Sequence, residues 1–194
     1  MAALSRPALH RRRPARGGGR GYEFWKQQQV AKRAAESIRY AEAMRLAEHG
    51  DVAAAGQALD ALGRDAGGGY GTLARLYDAD LRAKQGDLDG ALQRYDAVAE
   101  DSGVDRLFRD LATLLAAGRR IDHDDPTSVT QRLQPLLADS NPWRFSAREL
   151  VAIAALRAGN LAEVRTNLAR LSDDPAAPPG IRGRAAELLK TLGD

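Results

Sequence analysis

The sequence predicts an all-α fold, a helical solenoid of about four helix pairs followed by a C-terminal capping helix. Two observations lead to this prediction. The chain of 194 residues is 44% hydrophobic but only 5% aromatic, so alanine and leucine supply the apolar mass, which favours closely packed helices over sheets. The chain also contains an internal repeat of about 36 residues, and each copy has the pattern of a helix, a turn and a second helix.

Three glycines mark the repeat. Gly50, Gly86 and Gly159 are separated by 36 and 73 residues, which is one period and then two. Each glycine ends the first helix of a unit, helix A, because glycine adopts left-handed dihedral angles at little cost. The Asp or Asn that follows caps the second helix, helix B. Alanine always lies seven residues before the glycine, where its small side chain lets helix B approach helix A.

In chain order, residues 1–21 are predicted to be a disordered tail rich in Arg, Gly and Pro, and residues 22–194 to be the helical domain. Residues 1–20 hold six arginines and no acidic residue, whereas the remainder has 23 basic and 26 acidic residues and is mildly acidic. Residues 22–48 have few helix breakers and predict one long helix, the helix A of the first unit.

The unit between the second and third glycines is degenerate. Residues 104–118 are its predicted helix A, Asp124-Asp125-Pro126 replaces Gly-Asp as the turn, and residues 127–138 are its helix B. Pro135 should bend this helix. Residues 181–192 form a last helix without a partner, and we expect it to cover the open end of the stack.

Catalytic and metal-binding chemistry finds little support. The chain has no cysteine, which excludes disulfides, thiolate catalysis and cysteine zinc sites. His123 precedes two aspartates, but a solvated turn that caps helix B explains this run better than a metal site. Gly67-Gly68-Gly69 lacks the Gly-Lys-Ser/Thr of a phosphate loop, and nothing arranges Ser, His and Asp as a triad. We therefore predict a protein that is not an enzyme and has no cofactor or metal.

The run Gly86-Asp87-Leu88-Asp89-Gly90-Ala91, with Tyr95 four residues later, resembles the tetratricopeptide repeat. Asp78 and Arg82 depart from that pattern, since bulky apolar residues are usual there. The resemblance implies that the helices A line an inner face and bind a protein segment at positions 10, 6 and 2 residues before each glycine. Ordinary contacts between units would explain the apolar members of this set equally well. The positions are Tyr40, Met44 and Glu48, then Leu76, Asp80 and Lys84, then Glu149, Ile153 and Arg157.

Arginine recurs eleven residues before each glycine, at Arg39, Arg75 and Arg148. One interpretation is a basic ladder on one face of the stack. The other, which we favour, is that each side-chain stem covers the helix surface while its charged head stays in water.

A second resemblance covers roughly residues 22–194 and depends on the order of several short runs. These are Gly21-Tyr22-Glu23-Phe24-Trp25, the two Gly-Asp turns, Phe108-Arg109-Asp110-Leu111-Ala112, Asn141-Pro142-Trp143-Arg144, Ala155-Leu156-Arg157-Ala158-Gly159 and residues 182–189. In this order they are similar to the bacterial tetratricopeptide-like proteins related to the ancillary subunit of the SecYEG translocon. The resemblance implies an inner-membrane scaffold with one N-terminal membrane helix and a helical domain facing the periplasm. It implies the SecYEG translocon and a periplasmic chaperone as partners.

The start of the chain departs from this family. The implied membrane helix should lie just before Tyr22, but the basic tail lies there, and the sequence has neither a run of 18 apolar residues nor a secretory signal. Tyr22, Phe24 and Trp25 are typical of an aromatic anchor at a membrane interface. We therefore expect that residues 1–20 are not the native start, and that the protein is membrane-associated only if a native N-terminal helix is missing here.

Two alternatives stay open at this point. One is a soluble cytoplasmic adaptor of the same fold with an unrelated protein partner. The other is a nucleic-acid-associated protein that uses the basic tail, although no nucleic acid is expected from the mildly acidic body.

Overall fold

The computed structural model of the chain describes residues 18–193, and the regular structure in that stretch is entirely helical. This confirms the predicted all-α solenoid. The predicted tail lies outside the described residues up to residue 17, and the first helix begins at Gly18, four residues before the expected start at Tyr22. The helices are α1 (Gly18–Glu48), α2 (Val52–Asp65), α3 (Gly69–Lys84), α4 (Leu88–Glu100), α5 (Arg106–Arg120), α6 (Pro126–Leu133), α7 (Arg144–Arg157), α8 (Leu161–Asp173) and α9 (Pro179–Thr191), with a short 3-10 helix, Gln134–Leu137, after α6.

The three glycines end the A helices in the left-handed region, as predicted. Gly50, Gly86 and Gly159 have φ angles of 83°, 87° and 72°. The N–H of the next residue donates to the carbonyl five residues earlier, at 2.9–3.0 Å, which closes the last turn of helix A. The side chain of that same Asp or Asn accepts a hydrogen bond from the backbone N–H three residues later, so it caps helix B. Two adjacent residues therefore determine the end of one helix and the start of the next.

Each A helix packs against the B helix that follows it, which gives the pairs α1–α2, α3–α4, α5–α6 and α7–α8. The recurring alanines lie inside these contacts, since Ala43 and Ala79 are 0% exposed and Ala152 is 2% exposed. Ile181 and Ala185 of α9 are buried against α7 and α8, so α9 covers the end of the stack as predicted. The large apolar positions of the B helices fill the core, and they are Leu59, Leu62, Tyr95, Val98, Leu168 and Leu171.

The degenerate unit differs from its prediction. The α-helix ends at Leu133 and residues 134–137 continue as a 3-10 helix, so residues 127–138 do not form one bent helix. Pro135 accounts for the break because it has no N–H to donate and its ring crowds the preceding turn. Asp125 caps α6, as expected for the residue after the turn position Asp124, and its side chain accepts a hydrogen bond from a backbone N–H at 3.0 Å.

Candidate functional site

The A helices α1, α3, α5 and α7 lie side by side and form one face of the stack, the inner face. Three shallow cavities follow one another along it, with volumes of about 200, 310 and 270 Å³. The first and second share Leu115, and the second and third share Glu149. We call this continuous depression the inner trough. Its third cavity extends onto α8 and α9.

Two recurring positions of the repeat supply much of the lining, which is apolar at all of them except Ser146. They lie thirteen and nine residues before the turn position, and because they are four residues apart they lie on the same face of helix A. These positions were not among the binding residues predicted from the sequence, although they follow the same repeat register as the turns. They are Leu73 and Tyr77 before Gly86, Leu111 and Leu115 before Asp124, and Ser146 and Leu150 before Gly159.

Asp80 lies in the first cavity between two basic side chains. Its carboxylate accepts a hydrogen bond from Arg119 at 2.6 Å and forms an ion pair with Lys84 at 2.7 Å. The hydrogen bond to Asp80, and then its charge, hold the pKa of the Lys84 ammonium above its usual value. Burial, followed by the charge of Asp80, raises the pKa of the Tyr95 hydroxyl. Two basic side chains therefore share one carboxylate beside a buried phenol.

The residues predicted to face a ligand are divided between the trough and its surroundings. Leu76 is only 6% exposed and offers little surface to a partner, and Glu149 accepts hydrogen bonds from Arg184 of α9 at 2.7 and 2.9 Å. Binding by these residues stays a prediction. Tyr40, Leu76 and Asp80 line the first cavity, Glu149 and Ile153 line the third, and Met44, Glu48, Lys84 and Arg157 line none of the three.

Arg157 is held by the main chain of the neighbouring unit. Its guanidinium donates hydrogen bonds to the carbonyl oxygens of Ile121, of Asp122 at 3.3 Å and of Asp124 at 3.1 Å. These carbonyls belong to the turn after α5, where the helix leaves acceptors without partners. Arg157 therefore joins the third unit to the fourth instead of facing the trough.

The recurring arginines join the two helices of one unit. In the first two units the arginine of helix A donates to an aspartate 26 residues later, at the end of helix B. The two guanidinium groups are therefore paired with carboxylates. They neither form an unpaired basic ladder on one face nor simply extend into water. Arg148 instead donates to Asn167 at 3.5 Å, although Asp174 occupies the equivalent position. The pairs are Arg39–Asp65 and Arg75–Asp101, each joined at 2.9 Å.

Asp78 and Arg82, which depart from the tetratricopeptide pattern, replace an apolar contact with ion pairs. The Asp78 side chain is 3% exposed and accepts a hydrogen bond from Arg82 at 3.0 Å. Arg94 of α4 lies 3.5 Å from the same carboxylate and donates to Asp60 of α2 at 3.0 Å. Because a buried carboxylate needs compensating partners, these contacts tie together α2, α3 and α4.

Residues 18–193 show neither a metal-binding cluster nor a helix able to cross a membrane. This part of the chain contains no group of three or more His, Asp or Glu placed to hold a metal ion. His49 and His123 are exposed, and His10 lies outside the described residues. None of the described helices has the length and hydropathy needed to cross a membrane.

Comparison with known proteins places most of the chain in one family. A family model described as a tetratricopeptide repeat-like domain matches residues 15–166. This range contains all three glycine turns and the A helices of all four units. No curated protein and no solved structure matches the chain.

Proposed function

The chain belongs to the tetratricopeptide repeat-like domain family, and from this premise we propose that it is a protein-binding scaffold whose inner trough holds a segment of a partner protein. The observation that carries the proposal is the continuity of the trough across all four units. Each cavity, of about 200–310 Å³, has room for a large side chain. A polypeptide can place one side chain in each of three linked cavities at once.

The charges around the trough support the same function. Asp80 and Glu149 are already paired with basic side chains of other helices, so neither carboxylate needs a partner from a bound segment and the apolar lining of the trough stays open. The exposed part of that lining includes Leu115 and Ile153, which are each 37% exposed. Apolar side chains of a partner would gain most of the binding free energy by covering them.

We also propose the cellular setting that the second resemblance implies. In this proposal the protein is attached to the inner membrane, its helical domain faces the periplasm, and its partners are the SecYEG translocon and a periplasmic chaperone. Support comes from the order of the matching runs and from Tyr22, Phe24 and Trp25, which are 58–64% exposed near the start of α1, as residues at a membrane interface would be. A cytoplasmic adaptor with another protein partner is the competing proposal and would use the same trough.

Photo-crosslinking in cells tests both the proposed binding surface and the proposed cellular setting. A photoreactive amino acid replaces Leu115 in the trough, in the protein expressed from its own gene locus. A matched control replaces Leu161, which lies on α8 outside the trough and is 43% exposed. We expect a discrete protein adduct at position 115 that is absent at position 161.

The identity of the crosslinked protein distinguishes the scaffold function from the export setting. A translocon component or a periplasmic chaperone would support the full proposal, whereas a different protein would keep the scaffold and reject the export setting. Absence of any adduct at position 115 would reject the trough as the binding surface. The variant Leu115→Glu should weaken capture of the same partner by at least ~10-fold relative to Leu161→Glu.

A further inference from the structure

A further cavity, between α1 and the start of α3, adjoins the inner trough. Its volume is about 630 Å³, which is about twice that of the largest cavity in the trough, at about 310 Å³. Leu73 lines both this cavity and the first cavity of the trough, so the two are continuous. We call it the end cavity, and its lining includes Lys32, Arg33 and Glu36 of α1, residues 67–69, and Tyr70 and Leu73 of α3.

The end cavity lies within reach of a polypeptide segment that occupies the first cavity. Tyr70 lines the end cavity and Tyr40 lines the first cavity, and the centres of their rings are 5.9 Å apart. Arg33 and Tyr40, which belong to the two cavities, are seven residues apart on α1, or about 10 Å along the helix. An extended chain covers this distance in about three residues. One segment can therefore occupy both cavities.

The start of α3 presents main-chain N–H groups to the end cavity. Gly68 precedes the helix and provides no side-chain cap, and the N–H groups of residues 69–71 have no acceptor in the described part of the chain. A Cβ atom added to Gly67 or Gly69 would meet nothing within 4 Å, so no side chain separates these groups from the cavity. The N-terminal end of a helix carries a partial positive charge and binds carboxylates.

The side chains of α1 add positive charge on the other side of the end cavity. Lys32 and Arg33 are both exposed, and Glu36 is the one acidic residue in the lining. Arg33 forms no ion pair with any residue of the range 18–193, and Lys32 approaches only Glu36, at 4.0 Å. Together with the start of α3, these groups give the cavity a net positive potential, which favours an anionic group in a ligand.

Glu36 indicates that the ligand also brings a hydrogen-bond donor. It is 8% exposed, yet its carboxylate accepts no hydrogen bond from the described residues, and the Lys32 ammonium at 4.0 Å is beyond hydrogen-bond distance. Its Oε2 atom lies 3.9 Å from the position of a Cβ atom on Gly68, so the carboxylate faces the loop side of the cavity. A buried carboxylate without donors is costly. An inorganic anion such as sulfate carries acceptors only, whereas a polypeptide carries both carboxylates and main-chain N–H groups.

We propose that the end cavity binds an acidic side chain of the segment held in the inner trough, an inference that rests on the proposed scaffold function. The carboxylate of that side chain accepts hydrogen bonds from the N–H groups of residues 69–71 and pairs with Arg33, while a main-chain N–H of the segment donates to Glu36. Beyond the cavity α1 continues over residues 18–28, about 16 Å of helix, along which the segment can pass. The carboxylate is therefore assigned to a side chain and not to the end of a chain.

Peptide selection against the full chain tests the proposal. The probe is a phage library of random peptides fused at their C-terminal ends, and selected peptides are synthesised with an amidated C-terminus for fluorescence anisotropy. We expect them to share an acidic residue, and replacing it with the matching amide should raise the dissociation constant at least ~10-fold. Arg33→Ala should have a similar effect. Lys26→Ala is the matched control, because Lys26 is an exposed residue of α1 that removes the same charge and does not line the cavity.

A charge exchange distinguishes direct pairing from a structural role of Arg33. Arg33→Glu should bind a peptide with lysine in place of its acidic residue at least ~5-fold more tightly than the original peptide, and the absence of this reversal would overturn the proposal. Peptides that Leu115→Glu releases but Arg33→Ala does not would reject the end cavity and keep the scaffold. A selection without any peptide sensitive to Leu115→Glu would reject both. A preference of ~10-fold or more for a free C-terminus over the amide would assign the cavity to a chain end and overturn the side-chain assignment.

Discussion

At the scale of single residues, Gly71 shows how one missing methyl group sets the distance between the first and second units. A Cβ atom added to Gly71 would lie 1.8 Å from the carbonyl oxygen of Ala66, so the start of α3 and the end of α2 could not keep their approach. Gly71→Ala should destabilise the fold by ~2 kcal/mol or more, as measured by urea denaturation. Gly69, two residues earlier, has open space around it. Gly69→Ala should therefore have little effect, and equal losses from both variants would contradict this account.

Also at this scale, the Arg75–Asp101 pair predicts a pH dependence of stability. The hydrogen bond from Arg75, and then one from the backbone N–H of Gly103, hold the pKa of the Asp101 carboxyl below its usual value. A pKa that is lower in the folded state stabilises the protein above the unfolded pKa, and this stabilisation is lost as the pH falls through the folded pKa.

Asp101→Asn removes the titrating group and should lower the free energy of unfolding at pH 7. Because protonated Asp101 resembles the variant, the difference between the two proteins should shrink between about pH 5 and pH 2. Urea titrations at several pH values measure this difference. A difference that stays constant down to pH 2 would show that Asp101 stabilises the fold for some other reason.

At the scale of elements, α6 should open more easily than the other B helices. It has eight residues and is followed by a 3-10 helix, whereas α4 and α8 have thirteen residues each. A short helix closed by Pro135 has fewer main-chain hydrogen bonds to protect it. Hydrogen–deuterium exchange should therefore be faster in α6 than in α4. Pro135→Ala should slow exchange in α6 and leave α4 unchanged, and an unaltered rate in α6 would contradict the role given to Pro135.

The elements also show which parts of the fold could be predicted from the sequence. The turns at Gly50, Gly86 and Gly159 were placed correctly because a left-handed glycine followed by a capping residue is a local signal. The break after Leu133 was missed because a proline inside a helix can either bend it or end it, and packing with the neighbouring helix decides between them. Part of the candidate site could be predicted from the sequence, because its lining positions follow the repeat. The hydrogen bonds of Arg157 could not be predicted, because their acceptors are main-chain oxygens of another unit.

At the scale of the whole molecule, Arg157 should control how strongly the fourth unit unfolds together with the three units before it. Its side chain donates to carbonyl oxygens of the turn between α5 and α6, whereas at the opposite end of α5 Trp143 donates to the Leu107 carbonyl at 3.0 Å. Arg157→Ala should lower the free energy of unfolding by ~1–3 kcal/mol and broaden the urea transition. Arg182→Ala is the control, since Arg182 donates to a single carbonyl within the last link, at 3.4 Å. Equal effects of both variants would show that Arg157 has no special part in the junction.

The residues shared by neighbouring cavities of the inner trough set the spacing between the side chains that a bound polypeptide segment can insert. Leu115 and Glu149 each belong to two cavities, so successive cavities repeat at the separation of neighbouring helices, about 8–10 Å. A polypeptide in the polyproline II conformation advances ~3.1 Å per residue and returns each third side chain to the same side. A strand laid across the helices would therefore present every third residue to a cavity. The three cavities therefore match side chains that are three residues apart. A shift of the bound segment by one residue would move all of these side chains out of their cavities at the same time.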